Sequence, residues 1–241
     1  MFSHFFGIVL PFFRNFVVIL PQFRDYKIFT TPGSVECRVL QPRRILHLQN
    51  MLNIVIFGAP GSGKGTQSER ILEKYGINHI STGEVLRAEI KAETELGITA
   101  KGFIDQGQLI PDSLMIDILA TKLDSFTNSK GVIFDGFPRT IAQAEALKAM
   151  LGKRGQDVTV MLELDVPEEE LMERLIKRGI ESGRTDDNEE TIKKRLKVYN
   201  EQTSPLKEWY KNDGKHCYIN GSGNLDRIFA DIVAAIDSKN K

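Results

Sequence analysis

The chain has 241 residues, enough to bury one sizeable core with room for small inserted pieces. Its 32 basic and 32 acidic residues balance overall, but residues 1–50 hold six Arg or Lys against two acids, leaving 26 basic and 30 acidic residues beyond them. That mildly acidic remainder makes no case for a nucleic-acid surface. Two cysteines, Cys37 and Cys217, are too few for a disulfide framework or a four-sulfur zinc site, and they fit a reducing cytoplasmic compartment.

Residues 1–50 differ from the rest. Eight of the fourteen phenylalanines lie there, yet neither a helical nor a strand period is sustained. Pro11, Arg14, Asn15 and Pro21 interrupt the apolar runs well short of the ~20 residues needed to cross a bilayer, so no membrane association is expected. A secretory signal is disfavoured because no basic stretch precedes the first apolar run. An organelle transit peptide fits the arginines but not the scarcity of serine. The reading adopted is that Met51, just before the first strand, is the natural start, and that residues 1–50 are an over-extended reading frame outside the fold.

Leu52 to Phe57 is an apolar, β-branched run that predicts a buried strand. Gly58-Ala59-Pro60-Gly61-Ser62-Gly63-Lys64-Gly65-Thr66 follows it, and a helical pattern begins near Gln67 and runs to Tyr75, with Gly76 as C-cap. The glycines before Lys64 allow a loop whose backbone N–H groups all point at one anion. The helix N-terminus adds partial positive charge and Lys64 a full one, an arrangement suited to the phosphates of a nucleoside triphosphate. Glycine alone would indicate only a tight turn; strand, spacing, lysine and helix together indicate a phosphate loop. Gly65 stands where Ser or Thr usually follows the lysine, so the hydroxyl comes one residue late, at Thr66.

Next, Ser81 or Thr82 with Glu84 opens a helix carrying Arg87. A short helix covers Ile98 to Gln106 and closes at Gly107. Pro111 opens a stronger one, with Leu114, Met115, Ile118, Leu119 and Leu123 at three- and four-residue spacing. Gly131 to Phe134 is a buried strand ending in Asp135-Gly136-Phe137-Pro138-Arg139, and a helix from Ile141 to Leu151 follows. Val158 to Leu164 alternates as a strand ending at Asp165, and Pro167 begins a helix to Arg178. Gly179 to Gly183 reads as a short loop with two flexible glycines, and Asp187 or Asn188 caps a helix towards Tyr199. Trp209 and Tyr210 pack on the core, Tyr218-Ile219 forms the last strand, and Leu225 to Ile236 the last helix, with Ile228, Ile232 and Ile236 on one stripe. Alternating strands and helices predict an α/β fold with a parallel sheet covered on both faces. Functional groups then collect beyond the strands' carboxyl ends, where Lys64 and Asp135 fall. His79 and His216 read as structural.

Taken together, the phosphate loop, Ser81-Thr82-Gly83-Glu84-Val85-Leu86-Arg87 and Asp135-Gly136-Phe137-Pro138-Arg139 closely resemble the motifs of adenylate kinases, in family order, from Met51 to about Ile236. The resemblance implies a P-loop three-layer sandwich with a central five-stranded parallel sheet. It implies a kinase domain over residues 51–241, a small helical AMP-binding insertion over 81–110 and a short lid over 178–188. Only five residues separate Arg178 from Arg184, where long forms of the family insert a β-rich domain that often holds zinc; no zinc is expected here. The implied reaction is reversible, magnesium-dependent phosphoryl transfer, ATP and AMP giving two ADP, by a cytoplasmic monomer.

Roles carry over by motif. Gly61, Ser62, Gly63, Lys64, Gly65, Thr66 and Gly223 belong with ATP, and Arg174 and Arg178, four residues apart on one helix, reach its phosphates. Arg87 and Arg139 hold the AMP phosphate, while Arg184 and Arg195 bridge towards the transferring group. Asp135 organises magnesium-bound waters. Thr82, Gln108, Leu109, Ile110, Gly136, Phe137, Pro138 and Gln143 complete the AMP site, the Gln143 amide being able to donate to and accept from an adenine edge. Each arginine alone would read as surface charge, yet guanidinium forks suit phosphate oxygens and each falls within a motif. Thr82 favours AMP, since the similar pyrimidine monophosphate kinases tend to carry Ala there. The alternatives are a UMP/CMP kinase, a non-catalytic protein that closes on ATP, and a membrane-tethered form using residues 1–50.

Overall fold

The structure, a computed structural model, describes residues 51–240; the expectation for residues 1–50 lies outside them. Five strands, β1 (Leu52–Phe57), β2 (Asn78–Ser81), β3 (Gly131–Asp135), β4 (Val160–Asp165) and β5 (His216–Asn220), lie in the order β2-β3-β1-β4-β5, all parallel. The helices are α1 (Lys64–Tyr75), α2 (Thr82–Lys91), α3 (Glu95–Asp105), α4 (Asp112–Asp124), α5 (Ile141–Gly152), α6 (Glu168–Ser182), α7 (Glu189–Val198), α8 (Leu206–Asn212) and α9 (Leu225–Lys239). A π-helical turn, Tyr199–Thr203, follows α7.

Side chains of successive strand residues point to opposite faces, and here both faces are covered. Leu52, Ile54 and Ile56 join Leu162 and Ile219 beneath α1 and α9, where Ile71, Ile228, Ile232 and Ile236 meet them. Val55 and Phe57 join Phe134 and Met161 on the other face, with Leu119 of α4, Leu147 of α5 and Tyr210 of α8. Double coverage explains why β4 is buried at each of its first five positions, so the alternation read from Val158 to Leu164 is corrected: the strand starts at Val160 and has no solvent face.

Other boundaries moved for local reasons. β2 has only four residues at an edge of the sheet, too few for a period to be visible in sequence. Helix α1 starts at Lys64 rather than near Gln67, so Lys64, Gly65 and Thr66 form its first turn. Helix α3 starts at Glu95, because the Thr94 side chain accepts from Gly97 N at 3.0 Å and caps it. The loop expected over Gly179 to Gly183 is instead the last turn of α6, which reaches Ser182 and ends at Gly183 with φ 64°. Gly179 is therefore no hinge: a Cβ there would lie 2.7 Å from the Asp187 carbonyl oxygen, so glycine permits close packing of the segment that follows. Of the two caps offered for α7, Asn188 is the one used, accepting from Thr191 N at 2.9 Å.

Connections leaving β1 and β3 diverge. The one after β1 leads to β2 at one edge, while the one after β3 crosses to β4 beyond β1. Adjacent strands whose connections part in this way open a crevice at their carboxyl ends. A small third core, with Val166, Leu171, Leu175, Ile192 and Leu196, packs α6 and α7 together and takes Ala59 of the β1–α1 loop against it. The two helices bearing Arg174, Arg178 and Arg195 are thereby fastened to the loop that ends β1.

Candidate active site

Gly63 is the N-cap of α1, in the left-handed conformation at φ 90°, and no side chain caps the helix. Its first-turn N–H groups are left to an incoming anion, beside the positive end of the helix dipole. Lys64 folds back along the loop: its Nζ donates to the carbonyls of Gly58 (2.8 Å) and Ala59 (2.9 Å) and approaches Ser62 Oγ at 3.4 Å. Burial pushes the Lys64 ammonium down to about 8; Asp135 opposes the fall, and Arg139, Arg195 and Arg178 add to it.

The arginines converge on the same crevice. Arg139 donates from Nε to the Gly136 carbonyl at 2.8 Å and is pushed down to about 10 by burial and by the Arg195 guanidinium. Arg184 is lowered by burial, then by facing Arg87 and Arg178. Among the described residues neither Arg87 nor Arg184 has an acidic partner. Arg178 and Arg195 are held instead by two carboxylates. Arg178 Nε and Nη2 grip Asp187 at 2.6 and 2.8 Å, while Arg195 Nη1 meets Asp186 Oδ2 at 2.7 Å and Asp187 Oδ1 at 2.8 Å. The Asp187 side chain is fully buried; burial alone would raise its pKa, but the Arg178 and Arg195 contacts outweigh it and hold the carboxyl below the usual range. Sequence reasoning missed this role: an Asp two residues before α7 reads as a cap, and only the fold turns it inward.

On the other side of the crevice, Asp135 ends β3 in register with Ile56 of β1. Burial works against its charge, but the nearby His79 imidazole and the Lys64 ammonium outweigh burial and keep the carboxyl below its ordinary value. His79 Nε2 lies 3.9 Å from Asp135 Oδ2, beyond hydrogen-bond reach, and is a buried nitrogen without a partner among the described residues. The Thr82 hydroxyl donates to the carbonyl of Gly136 at 3.0 Å, which leaves its lone pairs free to accept. Gly136, at φ 78°, makes that approach possible, since a Cβ there would sit 2.6 Å from the Thr82 oxygen.

The Gln143 amide is engaged at both ends: its Oε1 accepts from Arg139 N and its Nε2 donates to Asp112 Oδ1, each at 2.7 Å. Asp112, which also accepts from Thr140 Oγ1 at 2.8 Å, is a further polar group that sequence reasoning did not single out. Phe137 and Pro138 are buried, Ile110 is buried, and Leu109 and Gln108 are progressively more exposed.

Arg174 and Arg178 do not act side by side, although they are four residues apart. Arg174 Nη2 donates to the Gly221 carbonyl at 3.1 Å and pairs with Glu170, and its Nη1 approaches the Gly61 carbonyl at 3.5 Å. It lies between the phosphate loop and the β5–α9 loop, whose Gly223 is exposed at φ 91°. Among the described residues no group of three or more His, Cys, Asp or Glu is arranged to hold a metal ion.

A glycine-rich phosphate loop at the crevice of a parallel α/β sheet, ringed by mutually facing guanidiniums, defines a P-loop phosphotransferase. An adenylate kinase family model matches residues 56–215. The chain is 79% identical over 187 residues to an adenylate kinase from Phocaeicola vulgatus, a match covering 78% of this chain and 99% of that protein. It is 78% identical to one from Bacteroides fragilis over 78% of this chain and 100% of that protein, and 52% identical to one from Porphyromonas gingivalis over 79% and 98%. The chain belongs to the adenylate kinase family.

Proposed function

We propose that this chain transfers the γ-phosphoryl group of ATP to AMP, reversibly, giving two ADP. The observation that carries the reading is the gathering of Lys64, Arg139, Arg178, Arg184 and Arg195 in one crevice, where burial first and neighbouring guanidiniums second lower the proton affinity of Lys64, Arg139 and Arg184. Such a cluster gains most from two polyphosphate anions brought head to head. Phosphoryl transfer needs little covalent help, so positioning and neutralisation of charge are the work the protein must do. The AMP phosphate is already an anionic nucleophile, and no general base is required.

ATP's phosphates sit on the first-turn N–H groups of α1, with Lys64 exchanging its loop carbonyls for phosphate oxygens. Arg87 and Arg139 grip the AMP phosphate, Arg184 and Arg195 the group in flight, and Arg178 the donor side. Asp135 stays charged beside the loop and suits a magnesium ion held through water. Held through water, such an ion would need no direct protein hydroxyl, so Gly65 after Lys64 is no obstacle. When bound with ATP, Mg2+ neutralises charge on the β- and γ-phosphates. Residues 81–110 form the AMP-binding insertion. The lid, expected over residues 178–188, narrows to residues 183–188 between α6 and α7, and it keeps water from competing for the phosphoryl group.

AMP is the proposed acceptor, on the match of Thr82 to adenylate kinases where the similar pyrimidine monophosphate kinases tend to carry Ala. Among the described residues no helix is long and apolar enough to cross a membrane, and the proposed setting is the cytoplasm, as a monomer. The test is phosphoryl transfer from ATP–Mg with AMP, CMP, UMP or GMP offered separately. Strong preference for AMP is expected. Preference for CMP or UMP would overturn the acceptor assignment, and ATP binding without transfer to any of them would overturn the activity.

A further inference from the structure

Glu170 lies in the first turn of α6, four residues before Arg174, where an ordinary exposed helix pair would be the bland reading. Its contacts go further. One carboxylate oxygen takes Arg174 Nη2, and the other accepts from Ser222 Oγ at 2.6 Å, from a residue 52 positions away in the β5–α9 loop. Arg174 Nη2 in turn donates to the Gly221 carbonyl at 3.1 Å, so Glu170, Arg174 and residues 221–222 close a ring between α6 and that loop. The loop is tied down on its other side as well: Arg227 of α9 donates to the carbonyls of Asn220 (3.0 Å) and Ser222 (2.6 Å). Gly221 N donates to Asp165 O at 2.7 Å. The free end of the ring, Arg174 Nη1, reaches the Gly61 carbonyl at 3.5 Å, at the rim of the phosphate loop.

With both Nη2 hydrogens committed to Glu170 and Gly221, the Arg174 guanidinium has one orientation across the gap between the phosphate loop and residues 221–223. A long flexible side chain thereby loses its rotamer freedom before any ligand arrives, which lowers the cost of using it. We infer that Glu170 and Ser222 are positioning residues for the donor nucleotide: they set Arg174 and the β5–α9 loop as one rigid wall of the ATP side, while the AMP side is untouched. The inference rests on the reading of Arg174 as a donor-side group. The Glu170 carboxyl is held below its ordinary value, first by the Ser222 hydroxyl and then by Arg174, in keeping with a carboxylate that stays charged in this ring.

The test is steady-state kinetics with ATP varied at saturating AMP, then AMP varied at saturating ATP, alongside thermal melting. Glu170→Ala is expected to raise KM for ATP about threefold, the size of one partly exposed pair, with KM for AMP and the melting temperature held. Glu170→Gln, which keeps an acceptor oxygen, should recover part of the loss. Ser222→Ala should raise KM for ATP as well, and the double variant should cost less than the two single effects combined, because both act through one ring. If Arg174→Ala raises KM for ATP and Glu170→Ala does not, the positioning role is wrong and the reading of Arg174 stands. If Arg174→Ala leaves KM for ATP unchanged, the reading of Arg174 fails and the positioning role with it. An equal rise in both KM values with a lowered melting temperature would mean a merely structural pair and would overturn the inference.

Discussion

The phosphate loop and the arginine cluster face each other across one crevice and are built in opposite ways. The loop is local: within Gly58–Thr66, backbone conformation, helix start and lysine are all supplied by neighbouring residues. The cluster is tertiary. Arg87 comes from α2, Arg139 from the turn before α5, Arg178 from α6, Arg184 from the α6–α7 segment and Arg195 from α7. Two are locked by Asp186 and Asp187, so their geometry depends on how α6 and α7 pack. Local construction tolerates changes elsewhere in the fold, whereas tertiary construction transmits them to the site.

The sharpest way to break this contrast is at Lys64. Lys64→Met should cut turnover by about a thousandfold or more, the scale of removing a preorganised charge from the transition state. Its melting temperature should hold or rise, because a buried ammonium is gone. Near-normal activity would remove the loop from the mechanism. Asp187→Ala probes the tertiary half. It leaves Arg178 without its partner and Arg195 with Asp186 alone, and urea unfolding should show a loss of about 3 kcal/mol, as for other broken buried pairs. Turnover should fall with it, since both guanidiniums lose their aim. Unchanged stability would mean that the pair does not lock the cluster.

A smaller effect is expected at Thr82. Thr82→Ala should reduce the preference for AMP over CMP by about tenfold, read as a ratio of kcat/KM values; an unchanged ratio would place acceptor choice elsewhere. The pH profile joins the two regions. In the proposed role Lys64 binds phosphate in its charged form, and burial pushes its pKa down to about 8, so kcat/KM for ATP should bend down above about pH 8. Arg195 is one cause of the low value, so Arg195→Ala should move that bend to higher pH. Stability runs the other way. Between about 8 and 10.5 the unfolded chain holds a proton that the folded one has lost, so Lys64 destabilises the fold less as pH rises. The smallest effect is expected at the start of the chain: with residues 1–50 removed, KM values for ATP and AMP should be unchanged.

The same contrast governs what was legible beforehand. β1 and the loop could be read residue by residue, because the apolar run, the glycines and Lys64 act on their immediate neighbours. Ser81, one of the two caps offered for α2, and Gly76 as a C-cap were readable for the same reason. The end of α6 was not: Gly179 looks like a breaker until Asp187 is seen against it. Asp187 itself looked like a cap, and Glu170, in the first turn of α6, was not singled out. Arg174 and Arg178 share a helical face by count, yet the backbone carbonyl of Gly221 draws one and a buried aspartate the other. In each case the deciding partner comes from another segment of the chain.

The diverging connections of β1 and β3 carry one further consequence. On the proposed roles, the donor loop leaves the end of β1, and Asp135 and Arg139 stand at the end of β3 beside it, held by the register of Ile56 with Asp135. Neighbouring strands stand about 4.8 Å apart by backbone hydrogen bonding. On those roles the sheet acts as a gauge block. The spacing of these two mounts is set by the main chain, the least adjustable dimension in the molecule. Side-chain substitutions in the crevice can loosen the grip on either nucleotide, but they leave the distance between the two mounts as it was.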